Sequence, residues 1–154
     1  MENLLKPINL GLCKNELPTN KGIYFWFNKF SGECVYIGIA CNKNGLKSRI
    51  YSQHLNPNYL EFRPTKHSRS DEFQLKYAVL KKSANGSISK GIDKSSFRKS
   101  IGRKLCLKPS QETCNYILNN LILKVYEVED EASLKAMEKE MIKKYQPIFN
   151  TSLK

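Results

Sequence analysis

Lys21 to Ala40 (KGIYFWFNKFSGECVYIGIA) holds two runs of aromatic and β-branched residues, parted by Asn28, Ser31 and Gly32. Such runs around turn-forming residues predict a β-hairpin. Leu46, Ile50 and Gln53 then fall at helical spacing in GLKSRIYSQH, a short helix, and the stretch from 56 to 66, with Pro57 and Pro64, reads as a loop. A longer helix is expected from Ser70 through DEFQLKYAVLKK, with Phe73, Leu75, Tyr77, Ala78 and Leu80 apolar. Ser83 to Gly91 (SANGSISKG) reads as a flexible polar break. Asp93 or Ser95 caps a helix running through SFRKSIGRKLCL, and Ser110 caps another through NYILNN. Leu121 to Val128 is a third strand, and Asp130 caps a last helix through EASLKAMEKEMIKKY that stops before Pro147. The first twenty residues, with Pro7, Gly11 and Pro18, read as an irregular arm. Three strands interleaved with helices predict a small α/β or α+β domain spanning residues 1–154.

The last helix carries the most informative local pattern. At about 100° per residue, Leu134, Met137, Met141 and Tyr145 form one apolar stripe. Glu138 lies roughly 40° from the centre of that stripe and points inward with it, whereas Glu140, about 120° away, faces solvent. An inward carboxylate costs several kcal/mol unless something pairs with it. A buried salt bridge, a stripe edge open to water and a metal ligand all satisfy that demand.

Charge shifts the balance among these. Twenty-six Lys and Arg against fourteen Asp and Glu leave a formal net charge of +12 on 154 residues. A field of that sign concentrates phosphate-bearing partners, so nucleic acid is the expected partner, and a cation-binding carboxylate is what phosphodiester chemistry requires. No run approaches the ~18 apolar residues of a spanning helix, and MENLLKPINLGL is too polar and interrupted for a signal peptide. The five cysteines make no Cys-x-x-Cys pair and no zinc-finger spacing with the two histidines. They are expected as reduced thiols in a cytoplasmic protein, without disulfides or structural zinc.

Several landmarks now fall in order along the chain. Gly22-Ile23-Tyr24 opens the first hairpin strand, Tyr36-Ile37-Gly38 lies on the second, and Arg49 follows in GLKSRI. Glu138 comes next, in E-x-x-M-I-x-x-Y-Q-P-I-F-N ending at Asn150. In both namesake tripeptides and in the ordered arginine, glutamate and asparagine, the chain resembles the GIY-YIG nuclease family over about residues 22–150. The resemblance implies a three-stranded, mainly antiparallel sheet flanked by helices, one divalent metal ion, and functional roles for Tyr24, Tyr36, Arg49, Glu138 and Asn150. The stretch from about 83 to 120 is longer than a minimal family core and reads as a basic helical insertion. With no appended domain of the kind found in repair excinucleases or homing endonucleases, compact restriction endonucleases are the nearest analogues in size.

Hydrolysis of a DNA phosphodiester needs an activated water, charge stabilisation at phosphorus and help for the leaving oxygen. The resemblance casts Glu138 as the ligand of one Mg²⁺ or Mn²⁺, for which a single carboxylate suffices when water and phosphate complete the octahedron. Arg49 offers a planar fork to two phosphate oxygens. Tyr24 is the candidate for general base or water-orienting group, a role that calls for cationic neighbours because a phenol ordinarily titrates near 10. Tyr36 would position water or phosphate; which tyrosine is the base stays open. Asn150 would brace the site by hydrogen bonds. His67, in KHSRS, resembles a histidine-serine element of homing-type members and is a candidate proton donor or phosphate contact. His54 stands five positions after Arg49, where some members have a histidine four positions on; Gln53 fills that place here.

DNA contacts are expected from Lys47, from Arg63 and Arg69 around His67, and from Lys94, Arg98, Lys99, Arg103 and Lys104 in the insertion. Arg98, Lys99 and Arg103 fall near one helical face, a candidate phosphate clamp; a solvated charged face is the plain alternative. The function expected is a metal-dependent DNA endonuclease of restriction, defence or mobile-element type, acting on double-stranded DNA, with a homodimer as one way to cut both strands. The alternatives are a non-catalytic DNA-binding module and a subunit of a larger nuclease complex.

Overall fold

A computed structural model describes residues 6–8 (backbone), 17–62 and 72–151. The chain falls into two compact units, residues 1–52 with 118–154, and residues 53–117.

In the first unit, β2 (Gly22–Asn28) and β3 (Cys34–Ala40) form the expected hairpin, and β7 (Leu121–Glu127) pairs with β2 on its other side. A short strand, β1 (Lys6–Ile8), adds to β7, so the antiparallel sheet runs β1-β7-β2-β3. The sheet thus has four strands where three were expected, and the arm contributes one of them. Three residues around Pro7 are too few for an alternation signal, and an outer strand tolerates a proline.

Alternation divides β2 between two faces. Ile23 and Phe25 join Cys34, Ile37, Leu134, Met141 and Ile142 in one buried cluster, and Phe27, Ile39, Met137 and Tyr145 pack against it. Tyr24 and Trp26 point the other way, and both are buried too. Helix α5 (Glu131–Tyr145) supplies the Leu134–Met141–Ile142 side of that core and packs chiefly along β3. Asp130 caps it, its carboxylate accepting from the Ser133 N–H at 3.2 Å. Beyond α5 the chain returns along β3: the Phe149 N–H donates to the Val35 carbonyl at 2.9 Å, covering an otherwise open sheet edge.

The helix expected over 45–54 is a single α-turn, α1 (Gly45–Lys47), running into a π-helical stretch, Ser48–His54. Its entry is fixed by Gly45, at φ +56 and with no room for a Cβ against the Thr19 and Asn20 carbonyls. The Leu46 and Lys47 N–H groups donate to the Asn20 and Pro18 carbonyls, each at 2.9 Å, which satisfies the exposed helix start.

In the second unit, β4 (Leu60–Glu61), β6 (Ile88–Asp93) and β5 (Val79–Lys82) form an antiparallel sheet in the order β4-β6-β5. Helices α2 (Glu72–Lys76), α3 (Ser96–Leu105) and α4 (Gln111–Asn120) accompany it, the last crossing the unit boundary. Two expectations are corrected here. The long helix through Lys82 ends at Lys76, and the polar break after it is the turn and return strand of a hairpin. Asn85-Gly86 between Val79-Leu80 and Ile88 is the tight-turn signal that outranks the helical spacing of Phe73, Tyr77 and Leu80. Ser95, rather than Asp93, caps α3, its hydroxyl accepting from the Arg98 N–H.

A buried polar cluster holds this unit together. The Asp93 carboxylate pairs with the Arg98 guanidinium, and it accepts from the Thr113 hydroxyl (2.7 Å), the Gln74 amide (3.2 Å) and the Ser110 N–H (2.8 Å). Arg98 also donates to the Gln53 and Asn56 carbonyls at 2.9 and 2.6 Å.

Candidate functional site

Tyr24, Tyr36, Arg49, Glu138 and Asn150 all belong to the first unit. In the hairpin register Tyr24 faces Gly38 and Trp26 faces Tyr36, so the two tyrosines project from one face of the sheet, diagonal to each other. Their ring centroids are 6.3 Å apart at an interplanar angle of 31°. Tyr24 lies across the empty side-chain position of Gly38: a Cβ there would overlap its ring and hydroxyl. The glycine of the first tripeptide serves a second approach, since a Cβ at Gly22 would lie 2.7 Å from Leu46 Cδ1 and 2.6 Å from the Tyr126 carbonyl oxygen. Leu46 can therefore seat α1 against β2, and Arg49, half-buried, follows from the same helical segment.

Glu138 is half-buried while Glu140 is exposed, as the helical stripe predicts. The site's electrostatics tie four side chains together. Burial lifts the Tyr24 phenol well above the usual range; Tyr36 and Glu138 add to that rise, and Arg49 opposes it. Tyr36 is pushed up to about 12 by burial and then by Glu138, again against Arg49. Burial also raises the Glu138 carboxyl, and Arg49 offsets only part of the effect. Two phenols, a guanidinium and a carboxyl thus sense one another within a partly desolvated space.

Asn150 stands behind this group. Its amide oxygen accepts from the Ile37 N–H and its amide nitrogen donates to the Ile37 carbonyl, both at 2.9 Å. These two hydrogen bonds tie the Asn150 side chain to the β3 backbone next to Tyr36.

The fit to a divalent ion rests on Glu138. A carboxyl whose burial outweighs its neighbouring guanidinium is a hard-oxygen donor still short of positive charge, which suits Mg²⁺ or Mn²⁺. Among the described residues no three His, Cys, Asp or Glu side chains gather into a metal cage. Glu138 would therefore be one protein ligand, with water and phosphate oxygens completing the shell.

The other expected positions scatter. Lys47 lines an open polar cleft with Thr19, Asn44, Ser48 and Ser52 in the first unit. His67, Arg63 and Arg69 lie outside the described residues. In the second unit Lys94 is exposed with its ammonium over the Tyr59 ring, and Lys104 is exposed, while Arg103 is half-buried. Lys99 is ion-paired with Glu61 at 2.7 Å. Arg98 requires a correction: expected as a phosphate contact, it is fully buried and committed to Asp93, because a buried carboxylate demands its counter-charge. The signal for this was Asp93 itself, the lone acid between Lys90 and Lys108. His54 is buried in the same unit, Nδ1 2.7 Å from the Ser95 hydroxyl and its ring edge-on to Phe97.

A hairpin bearing two facing tyrosines, a helical arginine behind a motif glycine and an inward glutamate on the last helix define a nuclease-type domain. The profile of the GIY-YIG catalytic domain matches residues 13–153, and the chain belongs to that family. Its substrate class is accordingly nucleic acid. No curated protein and no solved structure matches the chain significantly. Among the described residues no helix is long and apolar enough to cross a membrane.

Proposed function

We propose that this protein is a divalent-metal-dependent endonuclease that hydrolyses phosphodiester bonds in double-stranded DNA. The observation that carries the proposal is the pair of tyrosines on one sheet face, Tyr24 lying over Gly38 with its ring centroid 6.3 Å from that of Tyr36, with Arg49 and Glu138 near enough to bear on both phenols. Glu138 would hold one Mg²⁺ or Mn²⁺, which when bound neutralises phosphate charge and assists the leaving oxygen. Arg49 grips two oxygens of the scissile phosphate and stabilises charge as it develops, without losing its own proton. Burial and Glu138 hold both phenols protonated at neutral pH, so each starts as a hydrogen-bond donor. Tyr24 orients the attacking water through its hydroxyl; where added cationic charge has released the phenolic proton to solvent, a direction in which Arg49 pulls, the phenolate takes the proton of that water as its oxygen attacks phosphorus. Tyr36 positions water or phosphate beside it.

Restriction, defence and the spread of a mobile element are the biological roles that such an endonuclease would serve. One such centre cuts one strand at a time, so double-strand breaks would take two copies or two visits. Supercoiled plasmid incubated with the protein and Mg²⁺ or Mn²⁺ should become nicked or linear. Glu138→Gln should stop the cutting and leave DNA binding intact. Unchanged cutting by Glu138→Gln would remove the carboxylate from the mechanism. Binding without cutting under any divalent ion would make the protein a binding module instead. Methylated and unmethylated genomic DNA, cut side by side with the fragment ends sequenced, distinguishes restriction from nonspecific cleavage.

A further inference from the structure

The hairpin β5–β6 has chemistry that the site above does not use. Its pairing runs Val79 to Gly91, Leu80 to Lys90, Lys81 to Ser89 and Lys82 to Ile88. Among the described residues, strand β4 pairs only with Ile92 and Asp93, and the stretch from Ile88 to Gly91 has β5 as its partner, forming a two-stranded ribbon. Opposite residues share a face, which places Leu80, Lys82, Ile88 and Lys90 on one side, each row pairing an aliphatic with a lysine. All four are exposed, Leu80 by 64% and Ile88 by 63%. The other face is occupied: the Phe62 ring fills the place of a side chain at Gly91, and the Lys81 ammonium lies 5.5 Å from its centroid.

The ribbon is preorganised. Ser83 donates its N–H to the Ser87 carbonyl at 2.9 Å, Ser87 donates its N–H to the Asn85 side chain at 3.1 Å, and Gly86 takes the positive φ (+88) of the turn. A Cβ at Gly86 would meet nothing within 4 Å, so the tip reaches open space. From Phe73 to Ile92 the sequence has no acidic residue, against four lysines.

We propose that this ribbon enters the major groove of duplex DNA, with Lys82 and Lys90 on backbone phosphates and Leu80 and Ile88 against base edges. The proposal rests on the nuclease reading and adds to it a second place of contact. Two strands lie about 4.8 Å apart, and four paired residues project about 10 Å before the turn. A major groove about 12 Å wide and about 8.5 Å deep admits such a ribbon, and its floor offers thymine methyls to aliphatic side chains. Lysines on an outer strand also discourage edge pairing, but that task does not call for exposed Leu80 and Ile88 beside them. A second copy pairing along β5 would bring Lys81 and Lys82 against their own counterparts, so charge favours DNA.

The test uses the full chain carrying Glu138→Gln, so that DNA stays uncut, and follows binding to a fluorescent duplex by anisotropy. Adding Lys82→Ala and Lys90→Ala should raise Kd about tenfold at near-physiological salt and lower the log–log salt slope by about 2, with melting unchanged. Adding Leu80→Ser and Ile88→Ser instead should raise Kd and leave the slope as it was. A duplex whose cytosines carry bulky glucosyl groups in the major groove should bind more weakly, and netropsin in the minor groove should compete little. An unchanged Kd and slope in the lysine variant, or displacement by netropsin with indifference to glucosylation, would overturn the ribbon's role while the metal-dependent cutting of plasmid still stood. A dimer that the Leu80→Ser, Ile88→Ser variant dissociates would give the surface to a second copy. Loss of all DNA binding and cutting in the wild-type chain would remove the nuclease reading and the ribbon together.

Discussion

The Tyr24 ring lies over Gly38, its cross-strand partner, in the space where any side chain at position 38 would have to go. The glycine of the second tripeptide thus acts through the tyrosine of the first. Gly38→Ala should dislodge Tyr24, lower stability by about 1–3 kcal/mol through overpacking, and abolish most cleavage. Tyr24→Phe separates the two effects, since it keeps the ring and removes the hydroxyl. It should melt near the wild-type temperature and still fail to cut. Full activity in Gly38→Ala would show that the ring's placement is immaterial.

Asn150 should matter through Ile37. Truncation to alanine strands a buried N–H and a buried carbonyl, each worth about 1–3 kcal/mol when left without a partner. Asn150→Asp keeps the acceptor and loses the donor, so its urea midpoint should fall between those of wild type and Asn150→Ala. A midpoint for Asn150→Ala equal to wild type would refute the bracing role.

Arg98 should behave as a core residue. Arg98→Ala leaves the Asp93 carboxylate buried without its counter-charge, at a cost of about 3–5 kcal/mol in urea unfolding. Replacing both partners with apolar residues of similar volume should recover much of that loss. If Arg98→Ala instead kept wild-type stability and only weakened DNA binding, the side chain would be a surface contact after all.

The cap of α5 predicts a pH dependence of known sign. Ser133 hydrogen bonds, first from its hydroxyl and then from its N–H, hold the Asp130 carboxyl below the usual range. A group whose folded-state pKa is depressed stabilises the fold above its unfolded value, and that contribution disappears as pH falls through the folded value. Asp130→Ala should therefore lower the melting temperature at neutral pH, with the gap to wild type closing as the solution is acidified past the carboxylate range. A gap that persists or widens in acid would contradict this.

Some of this architecture was legible along the chain because it is written in nearest neighbours. The hairpin of Tyr24 and Tyr36 followed from two β-rich runs around a turn, and α5 from its cap and stripe. The inward set of Glu138 followed from helical phase alone. Where local signals compete, they mislead. Phe73, Tyr77 and Leu80 keep helical spacing, yet Val79 and Leu80 belong to a strand because Asn85-Gly86 closes a hairpin.

By itself, the sequence determined the family, through two tripeptides and three ordered polar residues. It also determined the cationic balance and the face on which Glu138 would lie, since period and charge are properties of neighbouring positions. The folded chain alone decided that Arg98 is spent on Asp93, that Asn150 grips Ile37, and that Leu80, Lys82, Ile88 and Lys90 share one exposed face. Each of these depends on partners distant along the chain or on strand register. Burial is likewise a sum over neighbours that no stretch of residues specifies, and it raised both phenols and the Glu138 carboxyl together.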